Sequence, residues 1–305
     1  MNKKVQVWCL GDVVVDLLPD GELRYRQCPG GAPANVAVAL SRLGVTTGFI
    51  GCRGDDPFGK FMNDTLVKEG IITDYLHVDS EYHTSTVLVS LDDEGERYFT
   101  FLVVPSADQF LHTEQLPDIQ TGQWLQLSSI ALAGEQTRQA ALAAVQQTRN
   151  NGGYVFFDVN VRESLWTSKE QMIAQISLIL ESSDVVKVSE EEAQLLTGQS
   201  NPKHALAQLA KQTDALLVVT LGADGAIAFD QSKQISIPLE NCVSVVDSTG
   251  AGDGFVGGML SVLAEHSQWR DWSVIEMAIR LGNQVGSFVV TQKGAMSALP
   301  RKTQL

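Results

Sequence analysis

Cysteine is the first thing this chain has little of. Its 305 residues include 4 cysteines, standing singly at Cys9, Cys28, Cys52 and Cys242 with no C-x-x-C pair. That pattern fits reduced, mostly buried thiols and excludes a disulfide scaffold or a zinc ribbon. Histidine is equally thin. His77, His83, His112, His204 and His266 are scattered, with neither H-E-x-x-H nor Cys/His spacing, so packing or surface positions are expected for them. Positive charge is also short: 22 lysines and arginines face 36 aspartates and glutamates, for a formal net charge of -14. Such a surface repels polyanions, which argues against nucleic acid and anionic membrane as partners. It still leaves room for a local basic pocket that takes a nucleotide's phosphates. No apolar run approaches the ~20 residues of a membrane span, and the N-terminal one is broken by Gly11 and Asp12, so no signal peptide fits. A soluble, cytoplasmic protein is expected.

Hydrophobic content of 44% and charged content of 19% describe an ordinary globular chain. It is long enough to bury a large core without metal or disulfide staples. No repeat, low-complexity tract or Pro/Ser-rich linker divides it, so one domain over residues 1–305 is expected. From about residue 120 onward, short apolar runs alternate with helical patterns. Strands are expected at 124–128, 154–159, 184–188 and 215–220, with helices at 136–149 and near 168–181 and 203–213. Runs of continuous hydrophobicity are buried on both faces, as in a parallel sheet between helix layers. The fold class is therefore α/β, three-layered, with a mostly parallel central sheet. Residues 13–29 and 84–104 carry period-2 patterns instead, the second interrupted by the hairpin signal Asp92-Asp-Glu-Gly95. They read as a small β-sheet lid inserted in the domain, of the kind that excludes water from a site.

Gly54-Asp-Asp-Pro-Phe-Gly59-Lys60 has the spacing of a P-loop but fails in its chemistry. Phe61 stands where a hydroxyl should ligate Mg²⁺, and two carboxylates sit where phosphates would lie. The segment reads better as a helix start, with Asp56 as N-cap, Pro57 at the first position, Phe58, Met62 and Leu66 on one face and Gly70 ending it. No G-x-G-x-x-G follows the first strand, so a Rossmann dehydrogenase is excluded too.

The segment Val245-Val-Asp-Ser-Thr-Gly-Ala-Gly-Asp-Gly-Phe-Val-Gly-Gly-Met-Leu260 reads differently. An apolar strand should enter a glycine turn and an apolar helix should leave it. Gly250, Ala251 and Gly252 can turn backbone N–H groups into one concavity, and the helix behind adds roughly half a positive charge at its N-terminus. That suits a transferring phosphoryl group. Asp253, in the first helical turn, can accept the proton of an attacking hydroxyl. A second candidate is Cys28-Pro-Gly-Gly-Ala-Pro-Ala-Asn-Val-Ala-Val-Ala-Leu-Ser-Arg-Leu-Gly44. There Gly30 and Gly31 allow close approach to the backbone, and Asn35 brings an amide to the first turn of a helix begun by Pro33.

Together these two segments resemble the ribokinase-like, or phosphofructokinase-B, family of carbohydrate kinases, and the resemblance runs the length of the chain. Gly11 and Asp16 after the first strand belong to it. Pro29-Gly-Gly-Ala-Pro-Ala-Asn-Val-Ala, Asp158-Val-Asn-Val-Arg162 with Leu165-Trp166, and Val186-Lys-Val-Ser-Glu-Glu-Glu192 are similar to the family's bacterial fructokinase branch. Val159 replaces the usual proline of that second motif. The resemblance implies ATP and Mg²⁺ as cosubstrate and cofactor and Asp253 as the base, with the Gly250–Gly252 amides on the phosphoryl group. It places Asp16, Gly30, Gly31, Asn35 and Arg162 around the sugar. ATP would be met by Lys187, Ser189, Glu192, Thr220, Gly222, Gly225 and Asn283, with Ser189 and Glu192 standing where an Asn-x-x-Glu motif shapes the Mg²⁺ and phosphate environment. Asp247 and Thr249 match a monovalent-cation site, K⁺ by implication, although Ala298 departs from the serine usual nearby. A homodimer through the lid is also implied. On the residues alone, Asp16 also fits a turn, Arg162 an ion pair and Asn283 an ordinary helix position.

The expected reaction is transfer of the γ-phosphoryl of MgATP to the C6 hydroxyl of D-fructose. Kinases for ribose, a keto-deoxy sugar acid or an aminoimidazole riboside are the rivals, and a non-catalytic sensor is the alternative of another class.

Overall fold

A computed structural model describes residues 4–21, 23–91, 97–231, 233–240 and 243–305. In chain order, the first half gives β1 (Val7–Leu10), β2 (Val14–Pro19), β3 (Tyr25–Gly30), α1 (Ala32–Arg42), β4 (Thr47–Gly54), α2 (Pro57–Lys68), β5 (Ile72–Asp79), β6 (Ser85–Leu91) and β7 (Arg97–Phe101). Then come β8 (Trp124–Ser128), α3 (Glu135–Asn150), β9 (Tyr154–Asp158), α4 (Lys169–Leu180), β10 (Val185–Ser189), α5 (Glu190–Thr197), α6 (Pro202–Leu209) and β11 (Leu216–Thr220). The chain closes with β12 (Ala226–Phe229), β13 (Gln234–Ile237), α7 (Ala251–Glu265) and α8 (Trp272–Val289).

Nine strands form one sheet in the order β13-β12-β11-β10-β9-β8-β1-β4-β5. All neighbours are parallel except at the β12 pairings, which are antiparallel. Alternate side chains of each strand enter opposite cores. Val7, Cys9, Phe156 and Val185 pack with α1, α2, α7 and α8. Trp8, Leu10, Phe157 and Val186 pack with α3, α4, α5 and α6. The expected three-layer α/β architecture is therefore present, and the apolar runs are continuous because both faces of the sheet are covered.

The expected lid strands form a second sheet, ordered β3-β2-β6-β7. It has a small core of its own around Val14, Val87 and Val89. Its expected hairpin turn at Asp92–Gly95 lies outside the described residues. The false P-loop is the helix start that its residues imply: Asp56 accepts the Gly59 N–H at 2.8 Å, Pro57 opens α2, and Met62 and Leu66 are buried. One expectation fails. Among the described residues no strand leads directly into Asp247; Val245 and Val246 are irregular and 65% and 54% exposed. Their apolar character belongs to the mouth of a cleft instead of a sheet interior.

Candidate active site

The cleft lies at the carboxyl ends of β9 and β10, where ligands of open α/β sheets bind, and the lid strands β2 and β3 form its other wall. Its volume is about 1280 Å³. It brings together Asp16, Arg162, Lys187, Asp247, Thr249, Gly250, Gly252 and Asp253, all read from sequence as site residues. Arg26 and Lys293 join Arg162 and Lys187 in its lining, interspersed with Asp16, Asp20, Asp158, Asp247 and Asp253, so the cleft mixes both signs of charge.

Its floor is the start of α7. Gly250 caps the helix with φ of 80°, and a Cβ there would lie 2.7 Å from Ala295 Cβ, so only glycine fits. Asp247 pins the turn from below. One carboxylate oxygen accepts the Thr249 N–H at 3.0 Å and hydroxyl at 2.7 Å, and the other accepts the Gly294 N–H at 2.8 Å. The Ala251 N–H closes the turn on Ser248 O at 3.2 Å. The amides of Gly252 and Asp253 come next, at positions with no acceptor inside a helix. A cap glycine with no side chain leaves those donors to an anion.

Asp253 is 8% exposed, in the first turn of α7. One of its oxygens accepts Asn35 Nδ2 at 2.8 Å, across from the first turn of α1. Burial raises the Asp253 pKa above the usual carboxylate range; the Asn35 bond, Arg162 and Lys187 pull against that. The Asn35 Oδ1 atom is buried and has no hydrogen-bond partner among the described residues.

Parallel pairing sets Lys187 of β10 opposite Asp158 of β9. Lys187 Nζ lies 3.1 Å from Asp158 Oδ1, both side chains being buried. Burial works against the ammonium, but Asp158, Glu192 and Asp253 raise its pKa overall, so Lys187 stays charged. Burial pushes Asp158 up to about 7, against the attraction of Lys187. Arg162 is exposed, with Nη1 on its neighbour's carbonyl, Val161 O, at 2.9 Å.

Other expected site residues lie around this centre. A Cβ on Gly30 would stand 2.5 Å from an Asp16 carboxylate oxygen, and one on Gly31 2.5 Å from Asp12 O, so both glycines admit the first lid strand. Ser189 and Glu192 form a capping box on α5: Glu192 accepts the Ser189 N–H and returns its own to Ser189 Oγ. The second Glu192 oxygen accepts the Val161 N–H at 2.8 Å, so both oxygens are occupied by backbone. Thr220 ends β11, Gly222 and Gly225 follow it, and none of the three lines the cleft. Asn283 lines a second cavity of about 240 Å³, with Val243, Ser287 and Thr291, and donates to Ile237 O at 3.1 Å. The two cavities have no lining residue in common, although Val243 and Thr291 of the second are close in sequence to Val245 and Lys293 of the first.

Sequence reading missed three features. Asn160, at the cleft, holds a positive φ of 37°. Lys293–Ala295 arrives from beyond α8 with no motif of its own. Asp12 is buried with one oxygen unpartnered among the described residues, and burial followed by the nearby Asp108 raises its pKa to about 7. An aspartate directly after a glycine, between two apolar runs, was the available signal. Among the described residues, no group of three acidic, histidine or cysteine side chains could hold a metal.

Residues 6–302 match the model of the pfkB family carbohydrate kinases. The chain belongs to that family. It is 47% identical to a fructokinase of Escherichia coli, over 98% of both chains. Among solved structures, a fructokinase of Vibrio cholerae O395 in its fructose-, ADP- and calcium-bound form superposes with a TM-score of 0.94 at 46% identity, covering 98% of this chain and 97% of that one. An aminoimidazole riboside kinase of Salmonella enterica, complexed with aminoimidazole riboside and an ATP analogue, follows at TM-score 0.92 and 37% identity, over 98% and 97%. The chain is an ATP-dependent sugar kinase by family, and no helix among the described residues is long and apolar enough to cross a membrane.

Proposed function

We propose that this kinase is a fructokinase, one catalytic unit over residues 1–305 that phosphorylates the C6 hydroxyl of D-fructose with MgATP. The observation that carries the reading is the buried Asp253 carboxylate, aimed by Asn35 and set one residue from the Gly252 amide at the start of α7. In the reaction, the C6 hydroxyl gives its proton to Asp253 while its oxygen attacks the γ-phosphorus. The bond to the β,γ-bridging oxygen breaks and ADP leaves. A raised pKa brings the base nearer the working pH, where general-base catalysis gains roughly 10²–10⁴-fold. The Gly252 and Asp253 amides and the helix dipole meet the charge on the equatorial oxygens.

Asp16 and Asn35 hold sugar hydroxyls, with Gly30 and Gly31 supporting them, and Arg162 reaches the sugar or the phosphates. Lys187 holds phosphate charge, the cavity at Asn283 takes the adenine, and Thr220, Gly222 and Gly225 form its outer loop. Glu192 works at one remove, by holding Val161 and with it Asn160 and Arg162. A divalent cation, Mg²⁺ in our reading, would ride on the nucleotide phosphates, the usual way Mg²⁺ is held in kinase sites. The pinned turn at Asp247 and Thr249 is the place for K⁺. Exposed Tyr25 and Tyr98 on the lid, with Leu102 and Val104 after it, support a homodimer through the lid.

The experiment is a coupled ADP-release assay over fructose, ribose, glucose, mannose, a keto-deoxy sugar acid and aminoimidazole riboside, with Mg²⁺ and with and without K⁺. Fructose should show the highest kcat/KM. The riboside relative is the reason for including that substrate, and a higher value for it would replace fructose while leaving the kinase in place.

A further inference from the structure

Gly54-Asp-Asp-Pro-Phe-Gly-Lys-Phe61 copies the spacing of a phosphate loop and takes no part in the reaction above. In the structure it is a knot between three elements. Asp56 stands between the end of β4 and the start of α2, and its two oxygens do different work. Oδ1 accepts the Gly59 N–H at 2.8 Å and caps α2. Oδ2 accepts the Thr84 N–H at 2.7 Å, 28 residues further along the chain. Thr84 in turn accepts the Gly54 N–H on its hydroxyl at 3.0 Å. The knot is tight: a Cβ on Gly54 would lie 2.2 Å from Asp56 Oδ2 and 2.7 Å from Thr84 N.

Thr84 is where the chain enters the lid. The next residue, Ser85, opens β6 and pairs with Val14, and Val87 pairs with Asp16 in the same register. The chain leaving the lid is stitched to the same place, because the Ala107 N–H donates to His83 O at 2.8 Å. Helix capping alone asks for one oxygen, which serine, threonine or asparagine supplies equally well. A second oxygen spent on the lid strand is what distinguishes a carboxylate here. Burial acts against the Asp56 charge, but the Thr84 and Gly59 N–H groups outweigh it and hold the pKa low, so the acceptor is ionised.

We propose that Asp56 is a positioning residue of the kinase reaction, anchoring lid strand β6 to the end of β4 and thereby fixing Asp16 over the cleft. The proposal rests on the reading of the lid as the cover of the sugar. Asp56→Ser keeps a capping oxygen and removes the lid anchor. Hydrogen exchange should then quicken by about tenfold or more over residues 85–91, the value of one charge-assisted hydrogen bond, and stay unchanged over 57–68. The KM for fructose should rise about tenfold while that for ATP stays within about twofold. Should Asp56→Ser not fold, Thr84→Val removes the Gly54 acceptor, leaves Asp56 whole, and should give the same split at smaller amplitude. Loss of protection in 57–68 together with 85–91, or an unchanged sugar KM, makes Asp56 a helix cap only and overturns the proposal. If the wild-type enzyme prefers another sugar, the kinetic arm is run with that sugar: the fructose reading then fails, and the exchange arm still decides the anchor.

Discussion

Asn35 donates to Asp253 at 2.8 Å across 218 positions of sequence, joining the first turn of α1 to the first turn of α7. The two helices come this close because Gly257 faces Ala39: a Cβ on that glycine would lie 2.4 Å from Ala39 Cβ. The amide thus holds still the carboxylate that we propose as the base. Asp253→Asn keeps an oxygen for Asn35 and loses the base. It should fold with nearly unchanged thermal stability and lose at least about a hundredfold in kcat. Turnover near that of the wild type would remove Asp253 as the base.

The same bond tunes the base. Burial is the main influence raising the Asp253 pKa, and the Asn35 hydrogen bond is the first that lowers it. Asn35→Ala removes that support, so the pKa rises further. A base must be ionised to act, and the acid limb of the kcat/KM profile should therefore move to higher pH, beyond any drop in its plateau. A lowered plateau with the limb in place would limit Asn35 to holding substrate.

Lys187 and Asp158 form a buried ion pair, with side chains 7% and 2% exposed. Lys187→Met strands a carboxylate and should cost about 3–5 kcal/mol in urea unfolding. Lys187→Met with Asp158→Asn should recover most of that stability without recovering activity, since the ammonium proposed to meet the phosphates is gone. The single variant should also depend on pH in a particular sense. Burial already holds Asp158 at about 7, and loss of Lys187 raises it further. The folded variant then keeps a proton that the unfolded chain releases above the ordinary 3.8, so its stability falls as pH climbs from there until the folded carboxyl ionises.

What the sequence disclosed follows from the range of the forces involved. The strand at 124–128 and the cap at Asp56 are where local pattern puts them, since backbone pairing and capping are written within a few residues. Asp253 was legible because a glycine turn and its helix carry the chemistry in one segment. Val245 and Val246 misled because apolar side chains look alike whether they await a sheet or a ligand. The Glu192 contact to Val161 and the Gly294 contact to Asp247 join segments 31 and 47 residues apart. No periodicity announces such contacts; they appear when the strands are laid side by side.

The turn proposed to hold the phosphoryl group depends on a residue far from it. Arg42, at the end of α1, forks onto Glu69 at 2.9 and 2.8 Å and donates to the Met296 and Leu299 carbonyls at 3.1 and 2.5 Å. Those carbonyls follow Gly294, which bonds Asp247, and Ala295, which packs on Gly250. Arg42→Met should therefore cost about 3 kcal/mol, as expected for breaking a largely buried pair, and should raise the KM for ATP more than that for sugar. Arg42→Lys keeps the charge but loses the planar fork, so it should fall between. Acid gives the sharper test. The Arg42 bond is the leading cause holding Glu69 below its ordinary 4.5. A depressed carboxylate contributes stability above the unfolded value and loses it as pH falls through the folded one. The stability gap between wild type and Arg42→Met should therefore be widest above 4.5 and close as Glu69 takes up its proton. A gap that stays constant into acid would mean that Arg42 acts through the two carbonyls alone, with Glu69 a bystander.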